Sequence, residues 1–167
     1  MGSIVEDVNQ SKNTSTLIND FKQLTKLGLS MSVVFSSVAG YLLAVDFDLI
    51  SYYTLFLLAI GGYLMVGASN AFNQIIEKNT DSLMKRTKNR PLPSGRMSVR
   101  AALIIAISFT IFGIAILYSI NPKSALFGAV SIFLYTSVYT PLKPVTPLCV
   151  FVGAIPGAIP FMLGWVA

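Results

Sequence analysis

Three residues with hard oxygen donors recur at intervals of four: Asn73, Glu77 and Asp81. On a helix that interval stacks side chains on one face, about one turn apart. Two carboxylates and an amide oxygen so placed could hold a hard divalent cation such as Mg²⁺. Directly downstream stand Lys85, Arg86, Lys88, Arg90 and Arg96. Acids followed by a basic cluster are what a metal-bridged diphosphate would need; a bare basic patch would attract phosphate without the acids. On spacing alone two other readings stay open. The acids could simply pair with Lys78 or Lys85, and a basic loop between apolar runs is ordinary membrane topology.

Composition limits the alternatives. The chain has 167 residues, 54% hydrophobic and 11% charged, where soluble domains carry roughly 25% charged residues. Too few polar residues are present to cover a water-facing surface, so the chain reads as an integral membrane protein in a lipid bilayer. It has no His, which excludes His acid–base chemistry, His–metal sites and axial haem ligation by His. Its one cysteine, Cys149, rules out an internal disulfide and a paired-Cys metal site. The net charge of +5 resides in loops between apolar runs, which is membrane topology and not a nucleic-acid surface.

The elements that must position these residues form an all-α, polytopic transmembrane helix bundle of about five spans. Residues 1–15 read as a disordered, solvated tail, and the first 26 residues lack the basic-then-apolar start of a signal peptide. Between Thr16 and Lys26, the apolar Leu17, Phe21 and Leu24 recur at helical spacing, with Asp20, Lys22, Gln23 and Lys26 between them. That pattern is a short amphipathic helix at the interface, or an extension of the first span. The first span covers about 27 to 45, with Ser30, Ser32, Ser36, Ser37 and Gly40 suited to close packing. The second covers about 49 to 71, with a small-residue face of Gly61, Gly62, Gly67 and Ala68. No Gly or Pro occurs from Ala68 to Asn89. The spacing therefore predicts a helix carried straight on into the acidic motif, projecting its donors at the water boundary.

Pro91 and Pro93 stop any helix, and Ser94-Gly95 makes a turn. Ser98 is the expected N-cap of a third span from Val99 to about Ile120. Asn121-Pro122 supplies cap and first helical residue for a fourth, ending near Tyr139. Thr146-Pro147 repeats that start for a fifth, in which Gly153 and Gly157 permit close contact and Pro156 and Pro160 predict a kink or break. With alternating spans, eleven of the twelve Lys and Arg residues fall on one side and only Lys123 on the other. That bias places the N-terminus and the acidic–basic stretch in the cytoplasm.

The run Asn73-Gln74-Ile75-Ile76-Glu77-Lys78-Asn79-Thr80-Asp81 resembles the first aspartate-rich motif of the UbiA-type intramembrane prenyltransferases. That motif is an Asn-Asp pair followed by two further Asp, each four residues apart. Asn73 and Asp81 match it, Glu77 stands where Asp is usual, and Gln74 replaces the Asp of the pair. The continuation from Met84 to Arg96, MKRTKNRPLPSGR, is similar to one branch, the protoheme IX farnesyltransferases or haem O synthases. So are Tyr139–Lys143 and Gly153–Pro160, and the resemblance covers about Lys22 to Ala167.

The resemblance implies nine transmembrane helices around a central cavity and a second aspartate-rich motif nearer the C-terminus. By it, 16–167 is the N-terminal part of the prenyltransferase domain, reaching into the fifth helix, with the motif loop at about 73–98. This stretch alone is then expected not to turn over. The implied reaction transfers the farnesyl group of farnesyl diphosphate to a vinyl group of haem B, forming haem O, with Mg²⁺ bridging acids and diphosphate. Asn73, Glu77 and Asp81 are the implied metal ligands and catalytic residues. Lys85, Arg86, Lys88, Arg90, Arg96 and Lys143 are the candidates for the diphosphate. A bacterial inner membrane, and haem A synthase or terminal oxidase assembly as partners, follow from the same resemblance. The rival readings are a UbiA-type enzyme acting on a quinone precursor or chlorophyllide, and a non-catalytic bundle or transporter fragment. The last would need charges inside the membrane, and none occurs between Leu49 and Phe72 or from Ala101 to Ile120.

Overall fold

The structure is a computed structural model that describes residues 16–167, so the expected tail at 1–15 lies outside the described residues. Helix α1 covers residues 16–24. It is followed by α2 (Leu27–Ala44), a 3₁₀ turn (Phe47–Leu49), α3 (Tyr52–Ile76), α4 (Lys78–Leu83) and α5 (Val99–Ile120). Helix α6 (Pro122–Phe133) runs through a π-helical stretch (Leu134–Tyr139) into α7 (Thr140–Leu142), and α8 covers Cys149–Val166. No strand occurs among the described residues.

Among the described residues five segments are long and apolar enough to cross a bilayer: Leu27–Ala44, Tyr52–Ile76, Val99–Ile120, Pro122–Leu142 and Cys149–Val166. Large apolar side chains such as Phe35, Leu43, Ile104, Phe112 and Phe151 point outward. In water they would form an untenable apolar surface; in lipid they are solvated. The expected caps are present. Ser98 Oγ accepts from Ala101 N at 3.1 Å, and Asn121 Oδ1 accepts from Ser124 N at 2.8 Å with Pro122 as first helical residue.

Helix α3 lies at the centre, packed on α2, α5 and α6, while α8 closes against α2. A core of Tyr41, Leu58, Met65, Ala68, Leu117, Ala125, Ile132 and Leu163 holds the spans together. A second cluster, Leu24, Ala71, Leu92, Ala102 and Ala106, lies at the end of α3 where the acidic motif begins. Small residues set the spacing: a side chain at Gly61 would strike Leu117, and one at Gly67 would strike the Phe109 ring. Gly153 faces the Tyr139 ring, whereas Gly157 opens onto free space and does not serve the close contact expected of it.

The structure corrects or refines the expected elements at several points. The helix is not carried through the acidic motif: α3 stops at Ile76 and α4 starts at Lys78, with Glu77 at φ −85°, ψ 4°. It ends at Leu83, well before Pro91, because Met84 is extended and the chain then turns. Asp81 takes part in that reversal, since its backbone carbonyl accepts from Thr87 Oγ1 at 2.9 Å. The fifth span begins at Cys149, two residues past Pro147, and stays helical through Pro156 and Pro160, so of the expected kink or break the break does not occur. The fourth span is regular only to Phe133; the backbone then widens to π geometry, with Thr140 N bonded to the Tyr135 carbonyl. Pro141 has no N–H to offer the preceding turn, which favours such a shift of register.

Candidate functional site

The break at Glu77 does not scatter the donors. Glu77 N still donates to the Asn73 carbonyl at 2.9 Å, and Asp81 N to the Glu77 carbonyl at 2.8 Å. The helical repeat that stacks the three side chains therefore survives across the junction. Asn73 and Asp81 are buried and Glu77 is nearly so.

One oxygen of each donor residue is met by a side-chain cation, each from a different segment. Asn73 Oδ1 accepts from Lys26 Nζ at 3.4 Å. Glu77 Oε1 accepts from Lys143 Nζ at 3.0 Å. Asp81 Oδ2 accepts from Arg90 Nη1 at 2.6 Å. Asn73 Nδ2 donates to Thr140 Oγ1 at 3.4 Å, which ties the motif to the π-widened end of the fourth span. A mouth cavity of about 250 Å³ opens here, lined by Glu77, Asp81, Arg86, Arg90, Thr140 and Lys143 among others.

Arg90 reaches back to Asp81 because the loop is pinned. Pro91 and Leu92 are fully buried, and Leu92 packs against Leu24, Ala71, Ala102 and Ala106. Gly95 adopts φ 75°, a left-handed turn that suits glycine, and its N–H donates to the Leu92 carbonyl at 3.2 Å. The basic cluster is thereby divided. Arg86 and Arg90 line the mouth cavity. Lys85 and Lys88 are exposed on the loop and do not line it. Arg96 points the other way: its Nε donates to Asp20 Oδ1 at 2.8 Å, and its Nη2 to Gln23 Oε1 at 3.3 Å and the Asn89 carbonyl at 3.0 Å.

Gln74, which stands where the resemblance expects Asp, faces away from the cations. Its Nε2 donates to the carbonyls of Gln23 and Leu24 at 3.0 and 2.9 Å, and its Oε1 is buried without a hydrogen-bond partner. One turn earlier Asn70 Nδ2 donates to the Thr25 carbonyl at 3.1 Å and to Ser30 Oγ at 3.3 Å. These amides hold the elbow between α1 and α2. Sequence reasoning missed Lys26, which it counted only among the cations that set the topology, and Thr140, which lies just past the expected end of the fourth span. The available signal for Lys26 was its place directly before the first apolar run. On its buried face α1 presents Asp20 and Leu24, while Leu17 is exposed, so the helix is oriented by Arg96 as much as by its apolar spacing.

Toward the middle of the bundle a second cleft, of about 550 Å³, is lined by Val33, Val66, Asn70, Tyr135, Tyr139 and Gly153 among others. Asn70 belongs to this cleft, and Asn73 lies one turn nearer the mouth. Polar donors thus border a mostly apolar cleft.

Residues 33–167 match the UbiA prenyltransferase family. The chain belongs to that family. It is an integral membrane protein, with five apolar helices among the described residues. It is 67% identical over 161 residues to the protoheme IX farnesyltransferase of Flavobacterium psychrophilum, an alignment covering 96% of this chain and 54% of that protein. It is 42% identical to the mitochondrial protoheme IX farnesyltransferase of Arabidopsis thaliana, over 87% of this chain and 34% of that one. The chain spans about half the length of three bacterial relatives that it matches at 65–68% identity. In three dimensions it resembles a UbiA homologue from Archaeoglobus fulgidus bound to DMAPP and Mg²⁺, with TM-score 0.78 and 18% identity over 87% of this chain and 53% of that one. A digeranylgeranylglyceryl phosphate synthase gives TM-score 0.80 and 20% identity, covering 89% and 52%. At such identities the likeness concerns the fold.

Proposed function

We propose that this UbiA-family chain contributes the first half of the diphosphate site of a protoheme IX farnesyltransferase. The whole protein transfers the farnesyl group of farnesyl diphosphate to a vinyl group of haem B, giving haem O. The observation that carries the reading is the juxtaposition of a mouth cavity bearing two carboxylates and several cations with the apolar cleft beside it. A diphosphate head and a long apolar tail need that division. The identity to protoheme IX farnesyltransferases supports haem B as the acceptor, in preference to a quinone precursor.

Asn73, Glu77 and Asp81 are assigned to a divalent cation, with Mg²⁺ favoured. The donor set fits: all three offer oxygen, and Mg²⁺ is held by one or two carboxylates plus substrate phosphates and water. The metal would neutralise charge on the departing diphosphate. Arg86, Arg90 and Lys143 hold the diphosphate at the mouth, with Arg able to contact it through two donors at once. Lys85 and Lys88 contribute to the field that draws the anion in. Arg96 acts at one remove by fixing α1 to the loop. The apolar cleft keeps water from the tail. The N-terminus and mouth face the cytoplasm, in a bacterial inner membrane, as the Lys and Arg bias supports.

The test is retention of a non-hydrolysable farnesyl diphosphate analogue by the purified chain, with Mg²⁺ and with EDTA. Mg²⁺-dependent retention, weakened at least about ten-fold (about 1.4 kcal/mol) in Asp81→Asn, is expected. Equal retention with EDTA would remove the metal role. In membranes containing the whole protein, haem B and not an aromatic acid should be farnesylated.

A further inference from the structure

Each of the three residues assigned above to a metal has one side-chain oxygen that accepts from a side-chain cation: Lys26 on Asn73, Lys143 on Glu77, Arg90 on Asp81. These cations come from the α1–α2 elbow, the end of the fourth span and the motif loop. A divalent ion that takes these same oxygens must displace the ammonium and guanidinium groups from them, and one held on the other carboxylate oxygens still brings two positive charges up against all three cations. An incoming diphosphate cannot draw in the cations without stripping Glu77 and Asp81 of their counter-charges. Two carboxylates face three cations. Adding a dication alone makes an excess of positive charge worse. Adding a diphosphate alone crowds it against two carboxylates.

We propose that metal and diphosphate load by cation exchange: Lys26, Arg90 and Lys143 leave the oxygens of Asn73, Glu77 and Asp81 to the metal and turn to the diphosphate. The proposal rests on the diphosphate-site reading above and adds to it a coupling between the two ligands, with Lys26 as a further diphosphate-binding residue. By linkage, each ligand then raises the affinity of the other by the same factor.

Lys26 is built for such a role at some expense to the fold. It holds φ 48°, ψ 57°, the only positive φ of a non-glycine residue among those described, a conformation that β-carbon contacts disfavour. The buried amides of Asn70 and Gln74 grip the carbonyls of Gln23, Leu24 and Thr25, so the elbow is over-determined around it. Strained backbone so supported concentrates at binding sites.

The test uses the purified chain in detergent, Mn²⁺ as the metal and inorganic pyrophosphate as the anion, corrected for their complex in solution. For the wild type, saturating pyrophosphate should raise Mn²⁺ affinity at least about ten-fold, and Mn²⁺ should raise pyrophosphate affinity equally. In Lys26→Met, Mn²⁺ alone should bind several-fold more tightly and pyrophosphate more weakly, opposite signs that a general loss of structure does not give. Lys26→Arg should restore wild-type behaviour, and Lys143→Met, at a more exposed position, should repeat the pattern in smaller degree. Mn²⁺ affinity unchanged or reduced in Lys26→Met would overturn the exchange, as would independent binding of the two ligands by the wild type. A wild type that binds neither would remove the diphosphate site itself, and the proposed function with it.

Discussion

Between α2 and α8 the contact is backbone on backbone: a side chain at Gly40 would meet the Phe161 carbonyl, and one at Gly164 the Ser37 carbonyl. At the mouth, segments are instead joined through long polar side chains, as where Arg96 spans from Asp20 to Asn89 or Arg90 turns back to Asp81. The two regions face different solvents. Lipid tails are as apolar as the spans, so helices gain from close approach and shape more than from burial. At the water boundary polar groups can be paired across segments and exchanged for others. A bundle made by contact is stiff; a mouth made by ion pairs can reorganise around a charged ligand.

The largest effect should come from breaking the contact region. Gly164→Leu should destabilise the chain by on the order of 4 kcal/mol or prevent folding, since backbone cannot yield to the added atoms. Thermal unfolding in detergent measures it, and a loss below about 1 kcal/mol would mean that α2 and α8 can separate freely. A middle-sized effect belongs to the buried end of the Arg96 latch. Asp20→Ala removes a charge-assisted bond and should cost about 2 kcal/mol. It should also expose the Gln23–Lys26 elbow amides to hydrogen exchange while the spans stay protected. Exchange spread over all spans would show that mouth and bundle are not separate. The smallest stability effect is expected at Lys143, which is half exposed: Lys143→Met should cost less than about 1 kcal/mol. Its analogue retention should nonetheless fall about two- to three-fold, the sharpest sign that the mouth serves binding more than folding.

Much of the bundle could be read from the sequence because spans are local. Ser98, Asn121 and Pro122 cap helices through neighbours three or four residues away, and Val99–Ile120 follows from them. The π stretch before Pro141 and the unbroken passage through Pro156 and Pro160 could not be read, since both depend on how neighbouring helices support a turn that has lost a hydrogen bond. In the site, the donors Asn73, Glu77 and Asp81 were visible by their interval. The division of the basic cluster was not: Arg90 and Arg96 flank the same buried Leu92 yet serve opposite sides of the loop.

The sequence by itself determined which residue types stand at the end of the central helix, how many apolar spans surround them and on which side the cations collect. Those are matters of composition and short interval. Tertiary structure alone decided the partners. Lys26 meets Asn73 from 47 residues away, Lys143 meets Glu77 from 66 and Arg96 meets Asp20 from 76. No periodicity encodes such pairings. They arise because the α1–α2 elbow, the pinned loop and the π-widened end of the fourth span all converge where α3 gives way at Glu77.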